Sequence, residues 1–148
     1  MTRPRRLWRW GVAVLAVAGA LAYLYDPPWL AQLTTGLGDV RRDERGVFYR
    51  WAGARASLFF PSDAATLEIP VRALFRTGDR SPFIVAFAVD GQATGHMVLG
   101  DEAWAHIRIP LRASRSWRRV RRLDIAVNRT WGDEGYGVML GLTAAVPR

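Results

Sequence analysis

Apolar side chains recur at every second position through most of the chain. Leu67, Ile69, Val71, Ala73 and Phe75 alternate with Thr66, Glu68, Pro70, Arg72 and Leu74, and Phe83, Val85, Phe87 and Val89 keep the same rhythm. Ile107, Ile109 and Leu111 face opposite Trp104, His106 and Arg108. Leu123, Ile125 and Val127 face opposite Asp124 and Asn128, and Val138, Leu140 and Leu142 close the series. A two-residue period puts one face of an extended strand in a core and the other toward solvent. Repeated this often, with no helical period after the first thirty residues, it predicts an all-β fold. The reading is a jelly-roll β-sandwich of about eight strands.

The punctuation agrees. Asp90-Gly91 between two apolar runs predicts a tight hairpin. Gly100-Asp101-Glu102, Arg112 to Arg119 and Gly132 to Gly135 read as loops. Pro61, Pro82 and Pro110 mark strand ends, and Pro70 an edge or bulge. In the stretch VFYRWAGARASLFFP, residues 47–61, Val47, Tyr49 and Trp51 share one face of a first strand. Gly53 permits a turn, and Ala54, Ala56, Leu58 and Phe60 line one face of the next. Trp51 reads as a core or rim residue. Arg50 reads as packing on an aromatic or pairing a carboxylate.

The N-terminal part is different in kind. MTRPRRLWRW precedes GVAVLAVAGALAYLY, and the uncharged run Trp10 to Tyr25 spans about 24 Å as a helix, extended by Leu7, Trp8 and a snorkelling Arg9. Trp8 and Trp10 at one end, Tyr23 and Tyr25 at the other, suit the two membrane interfaces. Residues 1–6 read as a basic cytoplasmic flank and 7–25 as a transmembrane signal anchor. Residues 26–45 read as a linker and 46–148 as an extracytoplasmic β-sandwich. Cleavage after Ala20-Leu21-Ala22 is the competing reading. Asp26-Pro27-Pro28 stops the helix. Thr34-Thr35-Gly36-Leu37-Gly38 reads as a break in regular structure, and Arg41 to Arg45 as a solvated charge cluster.

Net charge is +8, yet all 21 basic residues are arginine and four of them precede the apolar run. The excess therefore reflects composition and the N-terminal flank, and no nucleic-acid partner is expected. With no cysteine, disulfides and thiol chemistry are excluded. His96 and His106 lack metal-site spacing, and neither a nucleophile elbow nor a phosphate-binding glycine loop is present. No cofactor, no metal and no catalytic residue is expected, so the chain reads as a non-enzyme.

Three constellations could bind. Trp104, His106 and Arg108 on one strand, with Asp124 and Asn128 on another, would form a polar face with one tryptophan if the two strands share a sheet. An indole plane beside planar hydrogen-bonding groups suits a sugar. The loop with Trp131, Asp133, Glu134 and Tyr136 flanks two carboxylates with two aromatics. Arg115, Trp117, Arg118 and Arg119 gather guanidinium groups suited to an anionic surface.

Some of these residues also carry a resemblance. Arg50-Trp51-Ala52-Gly53, Val89-Asp90-Gly91, Trp104 with Ile107 to Leu111, and Arg121 to Val127 leading to Arg129-Thr130-Trp131 are the positions concerned. From about Tyr49 onward the chain resembles a galactose-binding-like, carbohydrate-binding-module-like β-sandwich region of bacterial, glycosyltransferase-associated membrane proteins. It departs from that group after Trp131, where it reads GDEGYG rather than a proline-rich loop. The resemblance implies a single-pass protein of the bacterial inner membrane whose body binds envelope carbohydrate or glycolipid. A protein-interaction subunit of a membrane glycosyltransferase or transporter is the alternative, and a small hydrolase comes third.

Overall fold

The computed structural model describes residues 4–79, 81–114, 118–132 and 135–147. It begins with helix α1 (Pro4–Tyr25) of 22 residues, about 33 Å long at 1.5 Å per residue. From Trp8 onward its side chains are exposed, including Trp8, Trp10, Leu15 and Leu24. It is a helix long and apolar enough to cross a membrane. The Asp26 N–H closes the last turn on the Ala22 carbonyl at 3.0 Å, and Pro27 and Pro28 prevent another. A 3-10 turn follows (Pro28–Gln32).

The remainder is antiparallel sheet. Its strands are β1 (Thr34–Arg42), β2 (Phe48–Pro61), β3 (Ala64–Ala73), β4 (Phe83–Val89), β5 (Gln92–Leu99), β6 (Ala105–Pro110), β7 (Val120–Val127), β8 (Val138–Gly141) and β9 (Ala144–Pro147). The neighbour order is β5-β4-β7-β2-β8-β3-β6, with β1 on β2 and β9 on β3. Strand β2 explains how one sheet makes two layers. Its first half, Tyr49 to Ala52, pairs with β8, and its second half, Arg55 to Pro61, pairs with β7. One layer is thus β5-β4-β7-β2 and the other β2-β8-β3-β6, which is jelly-roll order.

The alternation read from sequence fills the space between the layers. Phe83, Val85, Phe87, Leu123 and Ile125 of one layer and Leu67, Ile69, Val71, Ile109 and Leu140 of the other belong to one buried cluster. Each such side chain, fully buried, contributes roughly 1.5–3 kcal/mol of transfer free energy. Asp90 (φ 52°) and Gly91 (φ 78°) make the expected hairpin between β4 and β5, closing the Val89–Gln92 pair.

Three local expectations are corrected. Gly53 is not a turn, because β2 runs unbroken through it for 14 residues. The segment expected to be irregular, Thr34 to Gly38, lies in β1, which gains its regularity from pairing with β2. Its glycines serve a bulge: Thr35 pairs with Ser57 but Leu37 with Ala52, so Gly36 stands against the extra residues 53–56. Pro70 lies inside β3 rather than at an edge. Its missing N–H falls where β3 changes neighbour, from β9 at Glu68 to β8 at Val71.

Candidate functional site

Residues paired across antiparallel strands project to the same side of the sheet. With Leu123, Ile125 and Val127 inward, Arg122, Asp124, Ala126 and Asn128 project outward from the β5-β4-β7-β2 layer. The register aligns Ser57, Asp124 and Ala88 in one cross-strand row, and Arg55, Ala126, Ala86 and His96 in the next. The alanines keep the middle of this face low. A groove of about 530 Å³ results, edged by Arg55, Ser57, Arg122 and Asp124. The Asp124 carboxylate accepts the Ser57 hydroxyl at 2.7 Å and Arg122 Nε at 3.0 Å. A carboxylate offers about four lone-pair sites, so acceptor capacity remains beside a guanidinium whose side chain is 52% exposed.

The structure divides the first predicted constellation. Strand β6 is separated from β7 by β2, β8 and β3 and belongs to the other layer. Ala105, Ile107 and Ile109 turn toward the core, so His106 and Arg108 project from the opposite outer face, where Arg108 pairs with Glu68. Trp104 precedes β6, half-buried, and its indole N–H donates to Asp43 Oδ2 at 3.1 Å. Asn128 ties strand ends together, accepting the Ile84 N–H at 2.9 Å and donating to the Pro82 carbonyl at 3.4 Å. Of the five residues, Asp124 alone borders the groove. Alternation reveals which side of a strand is wet, but not which strands are neighbours.

The partner of Trp104 was hidden in the charge cluster. Asp43 Oδ1 accepts the N–H groups of Arg45 (3.0 Å) and Val47 (2.7 Å), and Arg72 Nη1 lies 3.8 Å from Oδ2. The side chain is only 5% exposed. The legible signal was Asp-Glu-Arg-Gly, an aspartate opening a turn that ends on glycine; the Gly46 N–H bonds the Asp43 carbonyl at 3.0 Å. Arg72 Nε also donates to the Glu102 carbonyl at 2.6 Å, and Glu102 Oε1 accepts the Phe75 N–H at 2.9 Å. Together these bonds lock the β1–β2 turn and the loop before β6 onto β3.

Desolvation opposes the charge on Asp43, but the Val47, Trp104 and Arg45 donors outweigh it and hold its carboxyl below the usual carboxylate range. The Ser81 N–H, with Arg129, does the same for Asp79 against its own desolvation. Folded-state values below the unfolded one mean stabilisation that is complete at neutral pH and lost as pH falls through the folded values. Thermal melts are therefore expected to be flat from about pH 7 to about pH 5 and to fall steeply below about pH 4. Asp43→Asn should flatten part of that acid limb. A melting temperature that rises on acidification would contradict this.

In the second constellation, Trp131 is a fastener. Its indole N–H donates to the Leu74 carbonyl at 3.0 Å, and the guanidinium carbons of Arg76 and Arg129 lie 5.0 and 4.7 Å from its ring. Tyr136 stacks on Trp51 with centroids 5.3 Å apart, and an isolated bridge joins Trp131 to Tyr136. Trp51 is thus a half-buried rim residue, as read. Arg50, instead of an aromatic or a carboxylate, donates Nε to the Gly38 carbonyl at 2.7 Å. Asp133 and Glu134 lie outside the described residues, as do Arg115 and Trp117 of the third constellation. Arg118 lies over the Tyr25 ring at 4.6 Å, and Arg119 Nε donates to Asp26 Oδ2 at 2.7 Å. Sequence reading missed Arg55, Ser57 and Asp43, because their partners lie on segments distant in the chain. Among the described residues, no three His, Asp or Glu side chains gather as a metal site.

No protein-family model matches the chain, and no curated protein matches it. Several solved structures are similar to it in part. One is a family two carbohydrate esterase from Clostridium thermocellum in complex with cellohexaose, 12% identical, TM-score 0.45, matched over 78% of this chain and 34% of that one. The chain thus spans about a third of that esterase's length. Another is the CBM36-1 domain of a multidomain xylanase from the hindgut metagenome of Trinervitermes trinervoides, 11% identical, TM-score 0.42, with 76% and 90% covered. A third contains the CBM51-2 and INT domains of Clostridium perfringens ZmpB, 14% identical, TM-score 0.41, with 76% and 30% covered.

Proposed function

We propose that this chain is a membrane-anchored, non-catalytic β-sandwich module that binds envelope carbohydrate or glycolipid through the outer face of its β5-β4-β7-β2 layer. The observation that carries this reading is the Ser57–Asp124–Arg122 group along the alanine-floored groove. A hydroxyl, a carboxylate and a guanidinium joined by hydrogen bonds across two adjacent rows offer donors and acceptors to sugar hydroxyls. The low alanine surface admits a flat ring. Anchoring is supported by the exposed apolar surface of α1 and by its Trp and Tyr ends. Arg3, Arg5, Arg6 and Arg9 before the apolar run favour a cytoplasmic N-terminus, with the sandwich on the far side of the membrane.

The test is retention of the detergent-solubilised full chain on immobilised envelope polysaccharides and glycolipids. At least one glycan is expected to retain it in preference to an uncharged, underivatised matrix. No retention on any glycan would overturn the reading and leave the protein-interaction alternative in its place.

A further inference from the structure

The junction between α1 and the sandwich is built, not merely tethered. The Arg119 backbone N–H and Nε both donate to Asp26 Oδ2, at 3.2 and 2.7 Å, and its Nη2 donates to the Asp26 carbonyl at 3.0 Å. Arg118 covers the Tyr25 ring. These contacts hold the last turn of the helix against the segment leading into β7. Two clefts meet there at Tyr25. One, of about 1010 Å³, is lined by Arg112, Arg118, Arg121 and Arg122, of which Arg121 pairs with Asp90 and Arg122 with Asp124. The other, of about 910 Å³, runs back along the helix over Ala18, Leu21 and Ala22.

From these paired clefts we infer a binding site for one anionic phospholipid, its phosphate headgroup among the arginines and an acyl chain along the helix flank. The inference rests on the membrane reading of α1 but not on the glycan groove. The part of α1 read as spanning, residues 7–25, is about 28 Å long and matches a hydrocarbon core of about 30 Å, so its C-terminal turn lies at headgroup depth. The cationic cleft then opens among the headgroups while the apolar one faces the acyl region. Arg121 and Arg122 are each matched by a carboxylate, so among the described residues the net positive charge of the cleft comes from Arg112 and Arg118; that excess favours an anion, and planar guanidinium forks suit phosphate oxygens. A small phosphate ion would use only the first cleft; a lipid uses both.

Native mass spectrometry of the full chain in detergent tests this with dioleoylphosphatidylglycerol against dioleoylphosphatidylcholine, and with glycerol 3-phosphate as a headgroup competitor. The anionic lipid is expected to be retained about tenfold more tightly, in line with the attraction of a few surface arginines for an anionic headgroup. The Arg112→Gln/Arg118→Gln pair should remove that preference with an unchanged circular dichroism spectrum, and the Arg112→Lys/Arg118→Lys pair should keep it. Equal retention of the two lipids overturns the inference. So does a preference that survives the glutamine pair or is lost equally in the lysine pair, and so does displacement by glycerol 3-phosphate alone, which would mark a small-phosphate site. Glycan retention, read separately on the same preparations, reports the groove at Asp124; Arg122 borders both sites, and because the glutamine pair leaves it in place, loss of lipid preference with glycan retention intact separates the two readings.

Discussion

Gly36→Ala is expected to destabilise the sandwich by about 3 kcal/mol, more than most surface substitutions, through backbone strain and a direct clash. Gly36 has φ +65°, a region that disfavours any side chain with a Cβ. A methyl there would lie 1.9 Å from the Arg55 carbonyl oxygen and 2.9 Å from its carbon. Those atoms are backbone and have no rotamer by which to withdraw, so β1 must lift from β2 at the bulge. The bulge lies beside Arg55 and Ser57, which edge the groove, so loss of order there should also weaken ligand retention. Gly53→Ala is the control: its new methyl meets nothing closer than 3.5 Å. Thermal unfolding of the full chain should show a drop of about 10–15 °C for Gly36→Ala and little change for Gly53→Ala. Equal, small effects at both positions would show that the bulge does not rest on Gly36.

Phe83→Ala is expected to cost about 3–5 kcal/mol. Phe83 is fully buried and meets Phe75 and Trp131 edge-to-face at centroid distances of 5.5 and 5.8 Å. It also seats a cation: the Arg129 guanidinium carbon lies 4.2 Å from its ring centroid. Arg129 donates Nη1 to Asp79 Oδ2 at 2.8 Å and Nη2 to the Ser81 carbonyl, while its buried Nε finds no hydrogen-bond partner among the described residues. Removing the ring leaves a cavity and takes from that guanidinium the nearest of its three aromatic neighbours, so the cavity and cation–π losses add. Phe83→Leu, which keeps most of the volume, should lose clearly less. Urea melts of the full chain compare the two; a Phe83→Ala midpoint equal to that of Phe83→Leu would contradict the cavity account.

Much of the architecture was legible because the two-residue period of Leu67 to Ala73, Phe83 to Val89 and Leu123 to Val127 matches the buried faces of β3, β4 and β7, and because Asp90-Gly91 admits few alternatives between apolar runs. The period fails at the end, where all four residues of β8 are buried and Leu142, expected inward, is exposed. The errors share one cause. At Gly53, Thr34 to Gly38 and Pro70 local conformational preference points one way, and a neighbouring strand, which local preference does not contain, overrides it. Binding sites suffer more from this limit than strands do. His106 and Asp124 have the same outward alternation, yet their strands lie in opposite layers because β2 carries the chain from one to the other. Asp43 looked like one member of a solvated cluster, although four groups converge on its carboxylate, two of them from residues far along the chain.

The two outer faces can be set against each other directly. Retention of the full chain on its preferred glycan should be compared for Asp124→Ala, on the β5-β4-β7-β2 face, and Arg108→Ala, on the opposite face. A charge-assisted hydrogen-bonding group at a ligand contributes roughly 1.5–3 kcal/mol, so Asp124→Ala is expected to weaken retention by about tenfold or more. Arg108→Ala should leave it unchanged. Loss in Arg108→Ala with retention intact in Asp124→Ala would contradict the account and move the ligand to the other side of the sandwich.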